Sequence, residues 1–407
     1  MSRYIADDVR AVHVENVPGL ESVTIAVTFP LGSRDGAVDG SGIPHLLEHL
    51  LLSSPVGGHR SLSYYVESLG GQASAFTGKE MLVVMVRVLQ EDAVEIASLL
   101  RIALTEPEFT EEVFQAERNV VLEELAEAAA DPSDCVQDVF FEHLFPDHPL
   151  GQPVGGTAER VAEVRLVDVE RWWGANARAV TPDVVVIGAD VPDEVRTALT
   201  FPVRLRPRGE VTAPAKPPRP SYGSKKEKDH GFAWVMAGCR GPRWADDRRF
   251  AMEVLAHAFG ESPSSVLFDR LRRRLGLVYF LHTWYTPYRD SGIWRSRIGV
   301  RSSNVDQVLQ EVRICLAEAA AGELSEDSLE SARKQATAAL VLERENPVER
   351  AHQVARLRLG VEGSEWDWRR EVEALAKVTA DDVAEAAREV SEELNWVVRL
   401  TGEAEDE

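Results

Sequence analysis

Apolar and small or polar positions alternate early in each half of the chain. Val23, Ile25, Val27 and Phe29 keep the two-residue period of a half-buried strand. Residues 231–238 (GFAWVMAG) play the same part in the second half. Both segments lead through helical stretches to another strand, residues 81–89 (MLVVMVRVL) and 293–300 (IWRSRIGV).

Beyond those strands the two halves remain similar. Residues 95–119 and 307–335 are helical in pattern, Leu100 to Leu104 aligns with Val312 to Leu316, and Arg118 aligns with Arg333. Between the halves lies a stretch, residues 204–230, with Pro207, Pro214, Pro217, Pro218 and Pro220, which reads as a linker ending in charged residues. The pattern predicts an α+β fold made of two homologous domains, 1–203 and 231–407. Each is an antiparallel sheet with helices packed on one face.

Composition narrows the class. At 407 residues the chain exceeds one ordinary core, and 44% hydrophobic with 28% charged residues suits a soluble globular protein. No apolar run approaches a membrane span, and the N-terminus has no apolar stretch behind a basic start, so a cytoplasmic location is expected. Cys135, Cys239 and Cys315 are too few and too dispersed for a disulfide framework or a thiolate metal site. A net charge of -22 argues against nucleic acid and anionic membranes as partners and would draw basic ones.

The strongest chemical signal is residues 42–52, GIPHLLEHLLL. Pro44 suits the first turn of a helix, where its missing N–H has no partner to lose. On that helix His45 and His49 share a face and Glu48 lies beside both. Two imidazoles so placed can bind one Zn2+, leaving Glu48 to hold and deprotonate a water. The order H-x-x-E-H inverts the commoner metal helix H-E-x-x-H. The competing reading is a Leu-rich core helix with two incidental histidines, and such a pattern arises by chance on the order of a few per cent of the time.

Zinc needs a third protein ligand and a fourth, open position. The acidic stretch 111–130 supplies candidates, most of which belong to a solvated face. At about 100° per residue, Val113, Glu117, Val120 and Glu124 fall on one narrow stripe, while Glu123 is turned roughly 100° from Glu124. Two carboxylates on an otherwise apolar stripe are costly to bury unless something positive meets them. Glu124 as ligand and Glu117 as the carboxylate that orients a ligand meet that need. In the second half the aligned positions are Ala332 and Ala339, and the helix around His257 has no such motif. Carboxylates and histidines vanish together, which marks the second domain as a copy without metal.

With these residues in view, the chain closely resembles the pitrilysin/insulinase family of inverted zinc peptidases. The likeness is to its half-length branch, which includes the mitochondrial processing peptidase and bacterial relatives. The resemblance covers nearly the whole chain through GSRDGAVDGSGIPHLLEHLLL, VESLGGQASAFTGKEM, AERNVVLEELAEAAADP, HPLGQPVGGT, FDRLRRRLGLVY and KVTADDVAEAARE. The interval from His49 to Glu124 fits the family spacing and selects Glu124 over Glu123. Two departures are visible: Ser74 stands where the family usually has Asn, and FGESPSS is less glycine-rich than in many relatives.

The resemblance implies a zinc endopeptidase acting on unfolded peptides inside a clamshell chamber formed by two chains. The pair would be a homodimer, or a heterodimer with a homologous subunit in which this chain bears the metal. It also implies that Arg272 and Tyr279 bind substrate and help to stabilise the oxyanion. Ser74, Ala75 and Phe76 would lie on an exposed edge strand that pairs with extended substrate. The alternative for Arg272 and Tyr279 is a surface cation on a basic helix and an ordinary strand residue.

Overall fold

The structure, a computed structural model, describes residues 12–36, 42–202, 204, 231–260, 262–360 and 366–401. The linker, apart from Arg204, lies outside the described residues. The strands are β1 (His13–Asn16), β2 (Ser22–Phe29), β3 (Gln72–Thr77), β4 (Leu82–Leu89), β5 (Asp183–Gly188), β6 (Ala233–Gly241), β7 (Val278–Pro287), β8 (Gly292–Val300) and β9 (Asn395–Leu400). The helices of the first half are α1 (Ile43–Ser53), α2 (Leu62–Ser68), α3 (Ala93–Thr105), α4 (Glu111–Ala130), α5 (Pro132–Leu144), α6 (Ala158–Glu163), α7 (Leu166–Ala175) and α8 (Asp193–Ala198). Those of the second are α9 (Arg249–Phe259), α10 (Val305–Ala320), α11 (Glu326–Glu343), α12 (Pro347–Gly360), α13 (Trp368–Lys377) and α14 (Ala380–Glu392). None of these helices is long and apolar enough to cross a membrane.

The chain forms two compact α+β units. One comprises Met1–Ala126, Gln152–Gly209 and Glu343–Leu359, the other Glu127–Gly151, Glu210–Leu342 and Gly360–Glu407. The first holds a sheet of order β1-β5-β2-β4-β3, the second a sheet of order β7-β8-β6-β9. Read from β5 and from β9, the two orders are the same, β5-β2-β4-β3 and β9-β6-β8-β7, as a repeat requires. The first sheet is not wholly antiparallel, because β1 pairs with β5 in parallel. Parallel neighbours need a long crossover, and here the rest of the first sheet lies between them in sequence.

In the first unit one sheet face carries Val23, Ile25 and Val27 of β2 with Val84, Val86 and Val88 of β4. Leu46, Leu47 and Leu50 of α1 are fully buried in the same core, each adding roughly 1.5–3 kcal/mol. The expectation of helices on one face only is corrected by the other side of the sheet. There Thr24, Ala26, Met85 and Val185 are buried as well, so that face also needs a cover.

That cover comes from the opposite half of the sequence. In the first unit it is α12, whose Arg358 forms a two-pronged pair with Asp183 of β5 at 2.7 and 2.8 Å. Arg344 and Arg350 both reach Glu15 of β1. In the second unit α5 fills this role: its Val136, Phe140 and Phe141 cluster with Met236, Ile293 and Val397. The units are therefore discontinuous in sequence. A boundary drawn at the linker alone does not separate them, because each sheet has two apolar faces and each half supplies its partner with the second helical layer.

Candidate metal centre

The metal helix starts where the chain can turn sharply. Gly42 caps α1 at φ 64°, and a Cβ there would lie 2.2 Å from the Gly155 carbonyl oxygen, so both conformation and space call for glycine. Pro44 follows in the first turn. With the leucines of α1 turned to the sheet, His45, Glu48 and His49 are left half-buried. They face α4, which seats Phe114 and Val121 in the core and so sets Glu117 and Glu124 at its border. The apolar stripe read from the sequence is narrower than expected, since Val120 is 42% exposed.

The donors converge. Glu124 Oε2 lies 3.7 Å from His45 Nε2 and 3.5 Å from His49 Nε2, and the three ligand atoms fall within 4.8 Å of one another. A tetrahedral zinc with bonds of about 2.0–2.2 Å spaces its donors by roughly 3.3–3.5 Å, so the two carboxylate-to-imidazole separations already suit the ion. Two imidazoles and a carboxylate are also the donor chemistry that suits zinc. Among the described residues no other trio of His, Cys, Asp and Glu is so placed.

The two histidines are held differently. His49 Nδ1 is 3.0 Å from Glu117 Oε2, and since the carboxylate can only accept, Nδ1 is the donor and Nε2 is the nitrogen turned to Glu124. His45 Nδ1 is buried without a hydrogen-bond partner among the described residues. Its ring is fixed by packing instead, at right angles to His49 (ring centres 5.0 Å apart, 88°) and against Gly155, where a Cβ would come within 3.4 Å of Nδ1. Burial lowers the His45 pKa, Glu48 pulls the other way, and His49 adds to the lowering. The outcome favours the neutral ring, the form that binds a metal. Sequence reasoning passed over Gly42 and Gly155. The only sign of the latter was the glycine pair in HPLGQPVGGT.

The remaining candidates are not part of this donor trio. Ser74, Ala75 and Phe76 are on β3, which among the described residues pairs only with β4 and so is an edge strand. Ser74 is exposed and Phe76 is 46% exposed. Arg272 and Tyr279 belong to the second unit. Arg272 sits in a π-helical turn (Phe268–Arg274) rather than an ordinary basic helix, and its Nη1 donates to the Tyr279 carbonyl at 3.3 Å. Tyr279 interrupts the register of β7 at a bulge and is 77% exposed, so it is no core strand residue. In that unit Ala332 is buried and Ala339 exposed on α11, and neither offers a ligand atom.

The chain is similar to known proteins in both sequence and fold. The sequence profile described as Insulinase (Peptidase family M16) matches residues 11–158, and that described as Peptidase M16 inactive domain matches residues 187–336. An uncharacterized zinc protease of Streptomyces coelicolor is 31% identical over 92% of this chain and 84% of its own length. One from Bacillus subtilis is 27% identical over 85% of each chain. Among solved structures, a protease from Helicobacter pylori shares the fold with a TM-score of 0.82 at 18% identity, over 95% of this chain and 97% of that one.

Proposed function

The chain belongs to peptidase family M16, the insulinase family, and from that premise we propose that it is a zinc-dependent endopeptidase acting on unfolded peptides. The observation that carries the proposal is the convergence of His45 Nε2, His49 Nε2 and Glu124 Oε2 beside Glu48. Those three atoms would hold the ion. When bound, zinc lowers the pKa of a water to about 7 and polarises a carbonyl.

The protein's own groups do the rest. Glu117 keeps the proton on His49 Nδ1 and so keeps Nε2 free to ligate. Glu48 accepts the proton of the attacking water at its carboxylate and passes it to the leaving amine. The free edge of β3 offers backbone groups to an extended peptide, giving affinity with little dependence on sequence. Arg272 and Tyr279 are assigned to the substrate and its developing negative charge, for which a guanidinium and a phenol are suitable donors. We further propose that the chain works as a homodimer, because it carries both the metal donors and the Arg272 and Tyr279 pair. The second reading is a heterodimer in which a homologous subunit is required.

The test is cleavage of a mixed library of unfolded peptides by the purified chain. Cleavage lost on chelation and in Glu48→Gln supports the proposal. A zinc-loaded chain that cleaves nothing until a homologous subunit is added supports the heterodimer. A zinc-loaded chain inert in every combination overturns the peptidase reading.

A further inference from the structure

In the second unit α5 covers only part of its sheet face. The strand register places Trp234, Phe280, His282, Trp284, Arg295 and Arg297 on that face. All but Arg295 remain half-exposed. The rings form a platform of two contacting pairs: Trp234 meets Phe280 edge-on at 5.4 Å, and His282 lies against Trp284 at 4.7 Å.

Two guanidiniums are set into this platform without a carboxylate. Arg297 lies 5.1 Å from the Phe280 ring and 5.7 Å from Trp234, and among the described residues it makes no hydrogen bond or ion pair. Arg295 stacks on Trp284 at 4.4 Å and on Phe141 at 5.1 Å, with Tyr288 and Thr286 as its polar neighbours. Burial, with the nearby Arg297, lowers Arg295 to about 10, so it stays charged at neutral pH. No strand position on the face is acidic. On a chain of net charge -22, a cation left unpaired between two rings is out of keeping with its surroundings. The usual fate of a half-buried arginine is a carboxylate partner.

We propose that this face binds an extended acidic peptide, one of whose carboxylates pairs with Arg297 while its apolar side chains lie on the Trp234 and Phe280 rings. A strand with carboxylates at every second position would aim them all at one face. Ring stacking adds little sequence preference, so the sign of the charge sets the selection. A single-stranded nucleic acid could also stack on rings, but the overall charge opposes a polyanion with no uncharged stretches. The overall charge would also favour basic peptides, and this face has the opposite local sign. As a statement about substrates the inference rests on the peptidase reading, whereas the binding itself needs no cleavage.

The experiment uses fluorescein-labelled peptides of alternating Glu and Val, with Gln–Val and Lys–Val counterparts. Binding to the full Glu48→Gln chain is followed by anisotropy. The Glu–Val peptide should bind more tightly than Gln–Val, and should weaken as salt is raised toward about 0.5 M. Arg297→Met should weaken it by about tenfold or more, and Arg297→Lys by less. Arg297→Met should leave Lys–Val unchanged. Equal binding of Glu–Val and Gln–Val to the protein with Arg297 intact overturns the proposal, and that comparison needs no Arg297 variant to fold. So does a single-stranded oligonucleotide that displaces Glu–Val at lower concentration than unlabelled Glu–Val. Failure of the peptidase reading shows separately, as a wild-type chain that binds Glu–Val yet cleaves no peptide.

Discussion

Glu117 Oε2 accepts the Nδ1 proton of His49 at 3.0 Å, and this bond fixes which nitrogen of His49 faces Glu124. Glu117→Ala removes the acceptor and lets the ring change tautomer or turn. Zinc affinity should fall about 10–100-fold, as it does when such an orienting carboxylate is lost elsewhere. Glu117→Gln should fall less, because the amide oxygen can still accept. Competition against a chelator of known affinity measures both, and an unchanged affinity in Glu117→Ala would show that packing alone orients His49.

Adjacent glutamates on α4 should behave oppositely. Glu124 supplies an oxygen within 3.7 Å of both imidazoles, whereas Glu123 lies outside the donor cluster. Glu124→Ala should lose bound zinc and peptide cleavage together. Glu123→Ala should keep both, with stability within about 0.5 kcal/mol of the parent. Metal content and turnover measured side by side decide the assignment, and loss of zinc in Glu123→Ala would reverse it.

The metal cluster was legible because helical spacing is local: His45 and His49 four apart, Glu117 and Glu124 seven apart, each pair on one face of one helix. The repeat was legible for the same reason, and Arg118 and Arg333 show its physical content. Each donates to the carbonyl of a residue that ends a short helix, Val164 at 2.8 Å and Val378 at 2.9 Å. The exchange of α5 and α12 was not legible. Nothing in the apolar pattern of a helix says which of two similar sheets it will cover, and the deciding contacts join distant residues such as Arg358 and Asp183. β1 escaped notice for a related reason, being four residues long with its pairing partner far along the chain.

Zinc should stabilise the fold that assembles its ligands. α1 and α4 both supply donors, so binding clamps the two helices together. At a hundredfold excess over Kd the gain is about 2.7 kcal/mol. Chelation should lower the melting temperature of the wild-type chain. In Glu124→Ala, which has lost the clamp, added zinc or chelator should leave melting unchanged. A wild-type melting curve indifferent to both would mean that the donors do not bind the ion in the folded state.

The seating of α12 should depend on acid. Burial alone would raise the Glu15 carboxyl, but hydrogen bonds from His13 and Arg350 and the charges of Arg344 and Arg350 outweigh it and hold the group near 2, below its ordinary 4.5. A carboxyl lowered in the folded state adds stability that is fully present above the ordinary value and is lost as pH falls from 4.5 through 2. After allowance for solvent screening, the contribution is of the order of 1–3 kcal/mol. Glu15→Gln leaves Arg344 and Arg350 facing an amide, so the variant should already be weaker at pH 7 and should lose less on acidification. Urea unfolding of both chains between pH 7 and pH 2 follows the difference. Parallel curves across that window would mean that Glu15 titrates alike folded and unfolded, and that the Arg358–Asp183 pair and apolar packing suffice to seat α12 on the sheet.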